Sequence, residues 1–271
     1  MTSAYFPQIM GVLNVTADSF SDGGRYTSLE AIQEHAQQLI ESGADIIDIG
    51  GESTRPYAQP VSVEEELERV IPAIELVRQL SDIDISIDTT KALVARKAVQ
   101  AGATIINDIS ALRADHSMLA VLREQSVRAV IIMHMQGTPG NMQDNPHYQD
   151  VVGEIIAFFK QRIAYLTSAG ISRDRIIIDP GIGFGKKLAH NLSIIKNLER
   201  FGALGTRLLL GHSRKHFLGQ LTGIKNPLER DHITAVVSAL CFDKRVDILR
   251  VHQVQLTRDA LRVSQAVHLA T

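Results

Sequence analysis

Two hydrophobic rhythms take turns along this chain. Short, nearly unbroken apolar runs alternate with stretches in which apolar residues return every three or four positions. The runs are of the kind produced by strands buried on both faces. They lead from Gln8 to Asn14, Ala44 to Gly51, Ile83 to Asp88, Ala101 to Asn107, Arg128 to His134, Arg175 to Asp179, Thr206 to Gly211 and Asp247 to His252. Between them, Leu29, Ile32, Ala36, Leu39 and Ile40 predict one amphipathic helix, and Leu67, Val70, Ile71, Ile74 and Val77 a second. A third runs from Val151 through Ile155, Phe159 and Ile163 to Leu166, and a last one covers about Leu256 to Ala266. Thr27 with Glu30, and Ser62 with Glu65, have capping-box spacing. Gly43 is placed to stop the first helix, and Pro72 to kink the second.

Ala101-Gly-Ala-Thr-Ile-Ile-Asn107 echoes Ser42-Gly-Ala-Asp-Ile-Ile-Asp48. Both read as helix end, tight turn, buried strand and polar residue, which is a repeat of a βα unit and not of a domain. Eight strands in alternation with about eight helices divide 271 residues into units of about 34, the size of a βα module. Alternation implies a parallel sheet, and eight units imply a (β/α)8 TIM barrel, a single domain over 1–271. No Gly-x-Gly-x-x-Gly follows the first strand, which argues against a dinucleotide site.

Composition narrows this only slightly. A net charge of −2 gives no reason to expect nucleic acid or an anionic membrane as partner. One cysteine allows no intramolecular disulfide. The first eight residues lack the pattern of a secretory signal, and no apolar run is long enough to span a membrane, so a cytoplasmic protein is expected.

The candidate chemistry lies where the runs stop. In a (β/α)8 barrel the C-terminal strand ends form the active rim. Here they carry Asn14, Gly50 to Arg55, Asp88, Asn107, Met133 with His134, Asp179, His212-Ser-Arg-Lys215, and Arg250 with His252. Asp88, Asn107, Asp179 and Lys215 suit a flat heterocycle with a guanine-like edge, because one carboxylate can accept a ring N–H and an exocyclic amine in parallel. Arg55, Arg250, His252 and Asn14 suit a diphosphate, with Asn14 offering a neutral oxygen to Mg²⁺.

These residues sit in longer motifs. Met10-Gly-Val-Leu-Asn-Val-Thr-Ala-Asp-Ser-Phe-Ser-Asp-Gly-Gly24 resembles the first signature of the dihydropteroate synthases, and Asp48-Ile-Gly-Gly-Glu-Ser-Thr-Arg-Pro56 the second. Ile178-Asp-Pro-Gly-Ile-Gly-Phe-Gly-Lys186, Ser213-Arg-Lys215 and Arg250-Val-His252 continue the match in order. The resemblance implies a homodimeric, Mg²⁺-dependent barrel enzyme of folate synthesis. It would join 4-aminobenzoate to 6-hydroxymethyl-7,8-dihydropterin diphosphate and be inhibited by sulfonamides. Carried over by motif, Asp88, Asn107, Met133, Asp179 and Lys215 meet the pterin. Asn14, Arg55, Arg250 and His252 handle diphosphate and metal. Asp22 and Thr54 belong to closing loops, and Phe184, Lys215 and His216 line the aminobenzoate site. A tetrahydrofolate–corrinoid methyltransferase barrel and a catalytically silent pterin-binding paralogue are the alternatives.

The chain departs from the family pattern at Ala17 (usually Pro), His212 (usually Thr), His216 (commonly Ser) and Gln253 (usually Asp). Asp48 and Glu52 are expected to organise the second loop and not to touch ligand. Arg214 reads equally as an anion contact or a strut. Cys241 is expected in the core, and His147, His190, His232 and His268 at the surface or in caps.

Overall fold

The computed structural model describes residues 5–16 and 29–270. Eight parallel strands close into a barrel in chain order: β1 (Gln8–Asn14), β2 (Ile46–Gly50), β3 (Asp84–Asp88), β4 (Ile105–Asp108), β5 (Ala129–Met133), β6 (Ile176–Asp179), β7 (Arg207–Leu210) and β8 (Ile248–Val251). Around them lie α1 (Leu29–Glu41), α2 (Val63–Leu80), α3 (Ala92–Ala101), α4 (Met118–Val121), α5 (Val151–Ser168), α6 (Leu188–Lys196), α7 (Glu199–Gly202), α8 (His216–Thr222), α9 (Asp231–Leu240) and α10 (Val254–Leu269). The expected barrel is therefore the observed one.

Helix caps follow the expected logic in part. Ser62 Oγ accepts from the Glu65 N–H at 3.1 Å. The Glu65 carboxylate turns forward to Arg69 and does not close the box. The second box lies outside the described residues at Thr27. The expected alternation weakens once, between β4 and β5, where α4 is a single turn. There the buried Asp108 carboxylate accepts from the backbone N–H groups of Ser110 (2.7 Å) and Leu112 (3.1 Å) and from the Ser110 hydroxyl (2.6 Å). The chain coils round this acid, with Ala111 and Leu112 at positive φ, in place of entering a helix.

Register decides what faces inward, since paired residues in a parallel sheet share a face and the face alternates along each strand. One inward layer contains Met10, Ile46, Ile105, Ala129, Ile131, Ile177, Leu209 and Ile248, which form a separate apolar cluster. The outward set, with Ile9, Leu13, Ile47, Ile49, Ile85, Ile87, Ile106, Val130 and Ile178, packs under the helices in the main core. Each of these isoleucines, fully buried, contributes roughly 1.5–3 kcal/mol. Two residues beyond the apolar layer, the inward positions turn polar.

Candidate active site

The polar level is set by register. Asn14 pairs with Gly50, Gly50 with Asp88, and Asp88 with Asn107, while Met133 pairs with Asp179 on the far wall. A methyl group at Gly50 would lie 3.4 Å from Asp88 Cβ and 3.8 Å from Asn14 Oδ1, so the two side chains converge over that glycine.

Arg250 reaches across the shaft from β8. Its Nε donates to Asp48 Oδ2 at 2.6 Å, and a terminal nitrogen donates to Asp88 Oδ2 at 3.0 Å. Asn107 Nδ2 approaches both Asp48 oxygens at 3.3–3.4 Å. Asp48 is fully buried. An unpaired carboxylate there would cost several kcal/mol, more than one isoleucine returns, so the guanidinium is needed to keep it. This differs from the loop-organising part expected of Asp48: it stands inside the barrel beneath Asp88. Its position was readable from alternation, because Asp48 and Gly50 share a face. Glu52 does organise a loop, in an ion pair with Lys91, which also holds the buried Glu66 at 2.5 Å.

Crowding of acids shows in their protonation. Burial, reinforced by Asp48, raises the Asp88 carboxyl to about 7 against the pull of Arg250. Burial likewise raises Asp179, opposed by a hydrogen bond from the Gly181 N–H to Oδ1 (2.8 Å) and by the cations Lys215, Lys186 and Arg250. Burial lowers Lys215 to about 8, helped by Arg250 and opposed by Asp179 and Asp88. The Lys215 ammonium lies 4.0 Å from the centroid of the Phe184 ring, a cation–π contact. Phe184 and Met133 share an apolar cluster with Ile109, Met135 and Met142.

His252 closes the rim beside β8. Its backbone N–H donates to Ser213 Oγ at 3.2 Å, and the same hydroxyl lies 2.9 Å from Nδ1. A hydroxyl that donates to Nδ1 leaves the ring proton on Nε2. Burial and the positive charges of Arg214, Arg250 and Lys215 hold the ring well below its usual pKa, so it is a neutral donor.

The loops sort the remaining expected residues. Thr54 lines a cavity of about 350 Å³ beside Asp88, with Glu52, Glu66, Ile109 and Arg113. Arg55 and His216 are exposed. Asp22 and Ala17 lie outside the described residues. His212 does not face the rim at all. It is fully buried, with Nε2 3.0 Å from both Thr234 O and Ser238 Oγ on α9, and burial pushes it down to about 4. Arg214 is a strut, at φ 59° and in a two-pronged ion pair with Asp231 at 2.7 Å. Gln253 occupies the α10 N-cap without a side-chain bond. Cys241 is buried, His147, His232 and His268 are exposed, and His190 accepts from the Lys187 N–H at the start of α6.

The sequence reading passed over Lys186, although it ends a quoted motif. It is 3 % exposed and holds the loop between β6 and α6. Nothing in the local sequence distinguishes a buried lysine from a surface one.

Known proteins align with this chain almost end to end. A family model described as pterin binding enzyme matches residues 10–252. Dihydropteroate synthase of Escherichia coli (strain K12) is 45% identical over 260 residues, 96% of this chain and 91% of that one. A solved structure of Xanthomonas albilineans dihydropteroate synthase with 4-aminobenzoic acid has a TM-score of 0.91 at 46% identity, covering 98% of this chain and 94% of that one. Another, of the same organism's enzyme in complex with 7,8-dihydropteroate, has a TM-score of 0.88 at 43% identity, covering 98% and 95%. The chain belongs to the pterin binding enzyme family and, within it, to the dihydropteroate synthases.

Proposed function

We propose that the barrel mouth joins 6-hydroxymethyl-7,8-dihydropterin diphosphate to 4-aminobenzoate, releasing 7,8-dihydropteroate and diphosphate. The observation that carries this reading is the level of inward acceptors, Asp88, Asn107 and Asp179, overlooked by Lys215 and Arg250. Asp179 accepts the donor edge of the pterin, Asn107 and Asp88 complete its outline, and Lys215 meets its carbonyl. Met133 packs against the ring face. On the rim above, Phe184 and Lys215 wall the aminobenzoate, and Thr54 and Asp22 belong to the loops that cover it. His216, at the first turn of α8, offers its backbone N–H to the aminobenzoate carboxylate.

The acids also serve the chemistry. Departure of diphosphate leaves positive charge on the exocyclic CH₂ of the pterin, and the two aspartates at the mouth, Asp88 and Asp179, stabilise it without reorganising. The aryl amine is neutral at pH 7 and attacks without a strong base. Arg55, Arg250 and the Nε2–H of His252 receive the leaving diphosphate. Asn14 fits a divalent cation: among the described residues its amide makes no hydrogen bond, and it stands over Gly50 within reach of the rim. No group of three or more His, Cys, Asp or Glu side chains among the described residues could hold a metal. A hard cation on one protein oxygen, with water and substrate oxygens around it, suits Mg²⁺. When bound, Mg²⁺ supplies positive charge to the diphosphate.

No described helix is long and apolar enough to cross a membrane. We place the protein in the cytoplasm, as one domain over 1–271. A homodimer is supported by α9 and α10, which leave Val236, Leu240, Val263 and Val267 exposed. The decisive experiment mixes protein, Mg²⁺, dihydropterin diphosphate and 4-aminobenzoate and follows dihydropteroate and diphosphate together. Folded protein that binds pterin and yields neither product would sink the reading. Sulfonamides should compete with 4-aminobenzoate, and inhibition insensitive to its concentration would count against the proposed pocket.

A further inference from the structure

Lys186 is a buried cation with no ion-pair partner among the described residues. Its Nζ donates to Phe184 O at 2.9 Å and to His134 O at 3.1 Å, and lies 3.2 Å from His134 Nδ1. Three acceptors match the three N–H groups of an ammonium. The third requires an imidazole with a bare Nδ1. Burial, together with Lys186 and Arg113, pushes His134 down to about 2, so the ring is neutral and has one bare nitrogen, and the Lys186 ammonium, which can only donate, selects Nδ1 as that nitrogen. Burial also lowers Lys186 itself, to about 7, with Asp179 opposing.

The acceptors come from two segments, the end of β5 and the loop that follows β6. These segments already touch backbone to backbone. A Cβ on Gly181 would lie 2.1 Å from His134 O, and one on Gly185 would lie 2.5 Å from Gln136 O. Both glycines sit at positive φ, 70° and 62°. Other bonds fasten the same loop along its length. Asn191 Oδ1 accepts from the Gly183 N–H at 2.8 Å, Gln143 donates to Gly183 O at 2.7 Å, and Tyr148 Oη donates to Gly185 O at 2.9 Å. Among the described residues, only Lys186 holds the carbonyl of Phe184, whose ring faces Lys215 in the site.

We propose that Lys186 is a positioning residue for the aminobenzoate pocket: it fixes the Phe184 ring by clasping that residue's carbonyl to the end of β5, and touches neither substrate. This rests on the reading above that Phe184 walls that pocket. A merely stabilising lysine would leave both Michaelis constants alone or shift them together. A positioning lysine shifts one.

The test uses the full-length enzyme with three changes: Lys186→Met, Phe184→Leu and the two combined. Lys186→Met should raise KM for 4-aminobenzoate about tenfold, the loss of one charge-assisted hydrogen bond, while pterin affinity measured without aminobenzoate moves less than about twofold. Phe184→Leu should raise the same KM, and adding Lys186→Met to it should raise it no further, because the lysine acts through the ring. If Phe184→Leu leaves the aminobenzoate KM unchanged, the reading of the pocket fails. If it raises that KM but Lys186→Met does not, or if the two changes multiply, the clasp is refuted and the pocket stands. Should Lys186→Met not fold, Lys186→Gln, which keeps two donors, carries the same measurements. Failure of both to fold would assign the lysine to stability alone and overturn the proposal.

Discussion

Asp179→Asn separates what this acid does for binding from what it does for the fold. In the wild-type chain, Oδ1 accepts the Gly181 N–H at 2.8 Å. Asn has one acceptor oxygen, and that N–H claims it, so the amide nitrogen turns towards the ligand. A pterin edge that offers two donors then meets a donor. Two hydrogen bonds to a charged group, at about 1.5–3 kcal/mol each, are replaced by one shared bond and one repulsive contact. A net loss of about 4 kcal/mol corresponds to a roughly thousandfold weaker Kd. The stability effect has the opposite sign. Burial raises the folded carboxyl above its ordinary value, so ionised Asp179 lowers stability once the pH exceeds the unfolded pKa, and an amide removes that term while keeping the Gly181 bond. Calorimetry with a pterin ligand, and thermal unfolding of the ligand-free protein at pH 7, measure both. The expected result is collapsed affinity with an unchanged or higher Tm. A Kd within threefold of wild type would refute the binding argument, and a fall of several degrees in Tm the electrostatic one.

Three other outcomes are expected. Asp88 must lose its proton near pH 7 to accept a ligand donor, and Lys215 loses its charge above about 8, so kcat/KM for the pterin diphosphate should peak narrowly between them; Asp88→Asn should abolish the acid limb, and a flat profile from pH 6 to 9 would refute the assignment. Lys91→Met strands the fully buried Glu66, whose Oε1 has no partner among the described residues, and should cost about 3–5 kcal/mol in denaturant unfolding; adding Glu66→Gln should recover part of it. Gln253→Asp supplies the missing cap of α10 and should add about 1 kcal/mol, seen as a Tm higher by about 2–4 °C.

The barrel was legible because its strands are isoleucine-rich runs and its helices keep a clean 3.6-residue stripe. The coiled segment after β4 was not, since the pull of Asp108 on Ser110 and Leu112 depends on a carboxylate buried by tertiary packing. Within the rim, Asp88, Asn107 and Asp179 were visible as polar residues ending apolar runs. Asp48 was hidden by its motif: read as part of a loop signature, it was never placed on the strand parity that points it inward. His212 was misleading in the other direction. One residue before Ser213, it looked like part of the pocket, but alternation turns it outward to α9, where a single-residue step exchanges ligand for core. Lys186 and its clasp could not be read, because its three acceptors are a ring nitrogen and two carbonyls.

The inward apolar layer of Met10, Ile46, Ile105, Ile131, Ile177, Leu209 and Ile248 has a consequence for traffic. It plugs the shaft below Asp48, so among the described residues the well is closed at its foot. If the pterin settles at the level of Asp88 and Asp179 as proposed, it goes down before the aminobenzoate takes its place against Phe184. Departure reverses the queue, and the upper occupant leaves first or carries the lower one out with it. A condensation fits such a well, since fusing the two guests turns a two-step exit into a single one.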